Sequence, residues 1–261
     1  MFTNSKYIEL EASIRSAGKL AMEFWTGGSP TRPLNPQQKK DGSYVTDGDL
    51  SVNAHLVTTI QRLFPDDAIV SEELPRASDE GGRDYAWIID PIDGTHSFMK
   101  GSPNFAILVS RLYRGNVVLG FTCFPVDDKI IVAESGKGAF LEGKPLRMSR
   151  SQTIREGHVA AWNFTPTPES LLVASRPDPN RALELLIGGE LDLIIERIST
   201  QGIWDVTARV IIIREAGGTV TTESGNPVIF AHNAIPGSFI VSSNGFVHDE
   251  ALRLVSVSGA E

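Results

Sequence analysis

Apolar residues at positions 10, 14, 17, 21 and 24 (Leu10, Ile14, Ala17, Ala21, Phe24) recur at helical spacing, and Gly27-Gly28 ends the element they predict. A polar stretch rich in Pro, Gln, Lys and Gly, residues 29–43, reads as a loop. Val52, Leu56, Ile60 and Leu63 then predict a second amphipathic helix, closed by Phe64-Pro65-Asp66-Asp67. The period changes at Ala68-Ile69-Val70-Ser71, a short strand that runs into Glu72-Glu73. A meander of strands follows at 105–112, 117–124, 130–134 and 139–141, with turns at Tyr113-Arg114-Gly115-Asn116 and Glu142-Gly143-Lys144-Pro145. Beyond residue 150 the texture alternates. Arg181 to Ile187 reads as a helix, Leu191 to Ile195 as a strand, Asp205 to Ala216 as a helix ended by Gly217-Gly218, Phe239 to Ser242 as a strand and His248 to Val255 as a closing helix. The pattern predicts an α+β part over 1–148 and an α/β part over 149–261, with a soft boundary near 146–155.

Composition narrows the class. The 261 residues suffice for a large core, and no apolar run is long enough to span a bilayer. The first nine residues carry acid and polar groups with no hydrophobic signal core, so a cytoplasmic location is expected. Cys123 is the single cysteine, which excludes an internal disulfide and a cysteine zinc cluster; flanked by Phe121 and Phe124, it reads as a buried strand thiol. With 24 basic against 32 acidic residues the net charge is −8, which disfavours nucleic acid and anionic membranes as partners. An anionic substrate then needs a local positive charge, and a bound cation supplies one.

The chemistry concentrates in Trp87-Ile88-Ile89-Asp90-Pro91-Ile92-Asp93-Gly94-Thr95. The apolar run predicts a buried strand that Pro91 brings to an end, followed by a turn or helix start with outward-facing amides. Carboxylates beside such amides suit a divalent metal that holds a phosphate. Further acids stand at element ends: Glu72 and Glu73 after a strand, Asp205 at a helix start. Each has a plainer reading, since Glu72 and Glu73 fit a solvated loop and Asp93, Asp205 and Asp49 fit helix N-caps. An all-oxygen set selects a hard cation such as Mg²⁺, and Asp90, at the strand end between the other clusters, is placed to bridge two ions.

Four segments in fixed order carry a family resemblance: Val45-Thr46 with Asp49; Ser71-Glu72-Glu73; Trp87 to Phe98; and Gly202-Ile203-Trp204-Asp205 with Ala208, leading to Glu215-Ala216-Gly217-Gly218. On these the chain resembles the inositol monophosphatase family, within the lithium-sensitive, Mg²⁺-dependent phosphatases. The resemblance implies a layered αβαβα sandwich of the inositol monophosphatase and fructose-1,6-bisphosphatase type, and a homodimer. It implies that Glu72, Asp90 and the Ile92 carbonyl bind one Mg²⁺ and that Asp90, Asp93 and Asp205 bind a second. It also implies that the Gly94 and Thr95 amides take the phosphate. Asp49 and the Thr95 hydroxyl would position or deprotonate the attacking water, with a third ion there, and Glu73 would support them.

The pattern departs from the family over 150–185, which is short, and Arg176-Pro177-Asp178-Pro179-Asn180-Arg181 stands where relatives carry a substrate-contacting Gly-Ser/Thr-Ala-Ala stretch. Glu196 reads equally as a ligand for a substrate hydroxyl and as an exposed strand-end acid. Arg176 and Arg181 are candidate contacts for a second anion, His96 is a candidate pocket residue, and Lys39-Lys40 reads as solvated loop. The expected function is hydrolysis of a small polyol or amino-alcohol phosphate, with inositol monophosphate as default and histidinol phosphate as the alternative. A non-catalytic scaffold that keeps the fold is the competing class. The aspartyl-phosphate mechanism of haloacid-dehalogenase phosphatases does not fit, because Asp90 and Asp93 are three apart and far from the N-terminus. Asp47-Gly48-Asp49 lacks the ligand ladder of a calcium loop.

Overall fold

A computed structural model describes residues 4–74, 82–162, 178–197, 202–230 and 237–258. Helix α1 (Ser5–Met22) starts at Asn4, whose side chain accepts from the Lys6 amide. A hairpin of two-residue strands, β1 (Gln37–Gln38) and β2 (Tyr44–Val45), starts inside the stretch read as loop, ends just beyond it and precedes α2 (Asp47–Leu63). Seven strands then pair in chain order: β3 (Ala68–Ser71), β4 (Tyr85–Asp93), β5 (Ala106–Tyr113), β6 (Asn116–Phe124), β7 (Lys129–Glu134), β8 (Gly138–Leu141) and β9 (Lys144–Pro145). A five-residue helix, α3 (Thr95–Met99), lies between β4 and β5. Within this seven-stranded sheet of the described residues only the β3–β4 pair is parallel. Arg114-Gly115 and Glu142-Gly143 turn two of the hairpins with positive φ at both residues, the twist that tight antiparallel turns need.

The C-terminal half runs β10 (Val159–Trp162), α4 (Pro179–Ile187), β11 (Leu193–Arg197), a 3-10 turn at Ile203–Asp205, α5 (Thr207–Glu215), β12 (Thr219–Thr222), β13 (Phe239–Ser243) and α6 (His248–Ser258). Its four strands order as β10-β11-β13-β12. The sequence pattern did not predict β10 or β12, four-residue strands too short to show a period.

Strand alternation builds the layers. Trp87 and Ile89 of β4 pack with Leu10, Ile14, Val52 and Leu56 of α1 and α2, whereas Ile88 and Leu108 pack on the other face with Ile211 and Ile212 of α5. On the second sheet Ala160 and Ile194 join the α5 side, and Val159, Leu193 and Val241 meet Ala251 and Val255 of α6. The result is α1/α2, sheet, α4/α5, sheet, α6. Each fully buried Ile, Leu or Phe contributes on the order of 1.5–3 kcal/mol of transfer free energy. Gly120 lets α5 lie against the first sheet, since a Cβ there would sit 2.4 Å from Ile211 Cγ2. Among the described residues no helix is long and apolar enough to cross a membrane.

Two local expectations are corrected. Strand β4 does not stop at Pro91. It continues to Asp93 through a bulge, with Asp90 opposite Leu108 and Asp93 opposite Ala106. A bulge leaves one residue outside the ladder, so the missing N–H of Pro91 costs no bond. Asp49 is not the N-cap of α2, which is Thr46; Asp49 is the third helical residue and closes a capping box with it.

Candidate active site

The bulge decides where the acids point. Asp90 turns back to accept the Ile92 amide at 3.1 Å and is buried. Gly94, at φ 91, then breaks the strand and caps α3; a Cβ there would lie 2.8 Å from the Asn104 carbonyl oxygen, so the turn requires glycine. Its amide and that of Thr95 stand at the start of α3.

From the opposite half, the 3-10 turn before α5 brings in Asp205, which accepts the Gly202 amide. Carboxylate oxygens of Asp90, Asp93 and Asp205 all lie within 4.8 Å of one another. Burial, then repulsion from Glu72, Asp93 and Asp205, holds the Asp90 carboxyl well above the usual carboxylate range. Burial and the Asp93 charge push Asp205 up to about 8. Burial also raises Asp93, against the opposing pull of Arg209 and the Asn180 amide, which donates to Asp93 at 2.7 Å. Three crowded carboxylates, Asp90 buried and Asp93 and Asp205 half-buried, fit a hard divalent cation.

The remaining residues are placed as follows. The Thr95 hydroxyl lies 3.2 Å from both Asp49 Oδ1 and the Ile92 carbonyl oxygen. Asp49 is fully buried, and burial raises its carboxyl, with the opposing effect of bonds from Thr46 and Thr95. Glu72 adds one rung to the β3–β4 ladder, its amide donating to the Ile89 carbonyl. Its side chain does not join the three aspartates; Lys39 Nζ donates to Glu72 at 2.8 Å and to Glu73 at 2.6 Å. Lys39 is therefore an engaged site residue and not part of a solvated loop. Glu196 is not an exposed acid: it is buried in β11 with its Oε1 2.9 Å from Arg209 Nη1 of α5. His96 is exposed beside Tyr44, at 6.5 Å between ring centroids. Arg181 is paired with Glu184 at 3.0 Å, and Arg176 lies outside the described residues. Cys123 is buried as expected, its thiol pushed up to about 12 by burial.

Sequence reasoning missed Arg209 and Asn180. A signal for Arg209 was present: it is the one charge in Val206-Thr207-Ala208-Arg209-Val210-Ile211-Ile212-Ile213, four residues after Asp205. An ionised group in an otherwise buried helix needs acids facing it. Asn180 gives no such signal, because its contact with Asp93 joins residues 87 apart in sequence.

The model of the inositol monophosphatase family matches residues 5–258. The chain belongs to the inositol monophosphatase family. It is 33% identical over 255 residues to the fructose-1,6-bisphosphatase/inositol-1-monophosphatase of Thermotoga maritima, covering 93% of each chain. It is 31% identical to the histidinol-phosphatase of Mycobacterium tuberculosis, over 84% of this chain and 87% of that one. A solved IMPase from Thermotoga maritima superposes with a TM-score of 0.79 at 29% identity, over 97% and 96% of the two chains. An IMPase/NADP phosphatase solved with Mg²⁺ and phosphate shares the fold at a TM-score of 0.75 and 19% identity, over 94% and 91%. As a member of this phosphatase family the chain is a phosphoric monoester hydrolase. Its layered α and β architecture is the family's, as the sequence pattern and resemblance together predicted.

Proposed function

We propose that the chain is a Mg²⁺-dependent phosphomonoesterase that hydrolyses a small polyol or amino-alcohol phosphate by attack of water. Inositol monophosphate is the default substrate. The observation that carries this reading is the convergence of Asp90, Asp93 and Asp205 beside the Gly94-Thr95 turn. Histidinol phosphate is the second candidate, favoured by 30–31% identity to two histidinol-phosphatases.

In this reading residues 1–148 supply the metal and phosphate motif, and residues 149–261 supply Asp205 and the substrate contacts. Asp90, Asp93 and Asp205 would hold one Mg²⁺, Glu72, Asp90 and the Ile92 carbonyl would hold a second, and Asp49 would serve a third. Bound Mg²⁺ supplies Lewis-acid stabilisation of the phosphoryl oxygens and a lowered pKa for the attacking water. The Gly94 and Thr95 amides donate to the phosphoryl oxygens and offset their charge. Asp49, made more basic by burial, and the Thr95 hydroxyl orient the water and take its proton. The water oxygen bonds to phosphorus, the ester P–O bond breaks, and the departing alkoxide is protonated to the free alcohol. Glu73 supports the site through its bond with Lys39, and Glu196 borders the alcohol half. A homodimer in the cytoplasm belongs to the same reading.

The test is phosphate release from a panel of phosphomonoesters, with and without Mg²⁺, for the wild type and Asp90→Asn. Mg²⁺-dependent release that Asp90→Asn abolishes supports the reading. No release by the folded wild type from any ester favours the non-catalytic scaffold instead.

A further inference from the structure

A cleft of about 210 Å³ opens between the segment around Pro103 and Asn104, the end of β6, and the first turn of α4. Asn180 links this cleft to the aspartates: it lines the cleft, and its amide donates to Asp93 at 2.7 Å. Its side-chain carbonyl has no partner although the residue is only 3% exposed. A buried acceptor without a donor costs about 1–3 kcal/mol, so a donor brought by a ligand would be bound there.

Three carboxylates line the cleft, and two are already matched. Asp127 lies 3.3 Å from Lys129, and Glu184 lies 3.0 Å from Arg181. Among the described residues, Asp178 alone of the three has no ammonium or guanidinium within 4.0 Å. As the N-cap of α4 it takes the Asn180 backbone amide at 3.0 Å through Oδ1 and also accepts the Arg181 backbone amide, but no side chain among the described residues donates to it. The charge of Arg209 reaches Asp178, but that guanidinium is committed to Glu196 at 2.9 Å. An unmatched carboxylate and an unmatched amide carbonyl together form an acceptor-only pair. That pair suits a cationic N–H donor and repels an anion.

We propose that this cleft takes the alcohol half of the substrate and that Asp178, with the Asn180 carbonyl, recognises a protonated nitrogen on it. Amino-alcohol phosphates are then preferred to neutral polyol phosphates of the same size, which moves histidinol phosphate ahead of the inositol monophosphate default, and esters with a second anion are rejected. The inference rests on the phosphomonoesterase reading above and makes Asp178 a specificity-determining residue.

The experiment compares kcat and KM of the Mg²⁺-loaded enzyme on a matched pair, glycerol 1-phosphate and 2-amino-3-hydroxypropyl phosphate, which differ by one hydroxyl against one ammonium. The expected kcat/KM favours the amine by about tenfold or more, the size of one charge-assisted hydrogen bond, and the preference is carried by KM. Asp178→Asn keeps a capping side chain on α4 and removes the charge, so the ratio falls toward one through a higher KM for the amine. Asp178→Ser, also a capping residue, repeats the test if the first variant fails to fold. Equal efficiency on both esters in the wild type, or an undiminished ratio in the folded variants, overturns the proposal alone. Hydrolysis of neither ester by the folded wild type overturns the phosphomonoesterase reading and this preference with it.

Discussion

Lys39 Nζ lies between two acids of the site, 2.8 Å from Glu72 and 2.6 Å from Glu73. The β1–β2 hairpin that carries it therefore delivers a positive charge to a carboxylate that the family resemblance assigns to a metal. Burial opposes the charge on Lys39, but its bonds to Glu72 and Glu73 raise its pKa overall, so it stays protonated at neutral pH. A cation that binds Glu72 must displace this ammonium. Lys39→Gln is expected to lower the Mg²⁺ concentration for half-maximal activity by roughly three- to tenfold, matching an ion pair of about 1 kcal/mol. Titration of activity and of metal binding by calorimetry checks this; unchanged or weaker Mg²⁺ binding contradicts it.

The Thr95 hydroxyl links Asp49 to the Ile92 carbonyl, both at 3.2 Å. Thr95→Val keeps the shape and the backbone amide and removes only the hydroxyl. A drop in kcat of about a hundredfold is expected, the usual scale for one positioned proton-transfer group, with a melting temperature close to wild type. Asp49→Asn in the same background adds little, because the two groups act on one water. Additive losses would show that they act separately.

The acid cluster predicts how stability depends on pH and Mg²⁺. Asp90, Asp93 and Asp205 are raised above their unfolded value of 3.8, Asp205 to about 8. An acid raised on folding binds more protons folded than unfolded. Its contribution is thus fully present below the unfolded value and is lost as pH rises through the folded one. Metal-free protein loses this margin between about pH 4 and pH 8, and Mg²⁺ offsets the loss. The Mg²⁺-induced rise in melting temperature is expected to be larger near pH 8 than near pH 5.5, and Asp205→Asn to flatten the difference. Thermal melts at the two pH values decide it, and an equal rise at both refutes the assignment.

Arg209 and Glu196 form an ion pair with side chains each about 5% exposed. Arg209→Met leaves Glu196, Asp93 and Asp205 without their shared buried cation. The expected loss is about 3–5 kcal/mol in denaturant unfolding without Mg²⁺. Glu196→Gln with Arg209→Met restores part of it, since an unpaired buried charge is the larger cost. A double variant as unstable as the sum of the singles would place the effect in packing instead.

The helices α1 and α2 and the β5–β6 hairpin were legible because each is long enough to show its period and each end carries a turn residue, as at Arg114-Gly115. The short β10 and β12 were not, because four residues are too few to show a period, and three of the four in β12 are threonines. The bulge at Asp90-Pro91-Ile92-Asp93 was misread as a strand end: proline removes a donor in either case, and only the pairing with β5 shows that no donor was needed there.

The sequence by itself determined the family and the layered fold class and marked the candidate site, because the residues from Asp90 to Thr95 are contiguous and act through local backbone geometry. Only the tertiary structure decided what surrounds them. Lys39 on Glu72, Asn180 on Asp93 and Arg209 on Glu196 join positions 33, 87 and 13 residues apart, all between separate elements with no shared period and the second across the two halves. Contacts of that kind arise from how whole layers stack, so the charge balance of the site and of the neighbouring cleft becomes visible only in the packed structure.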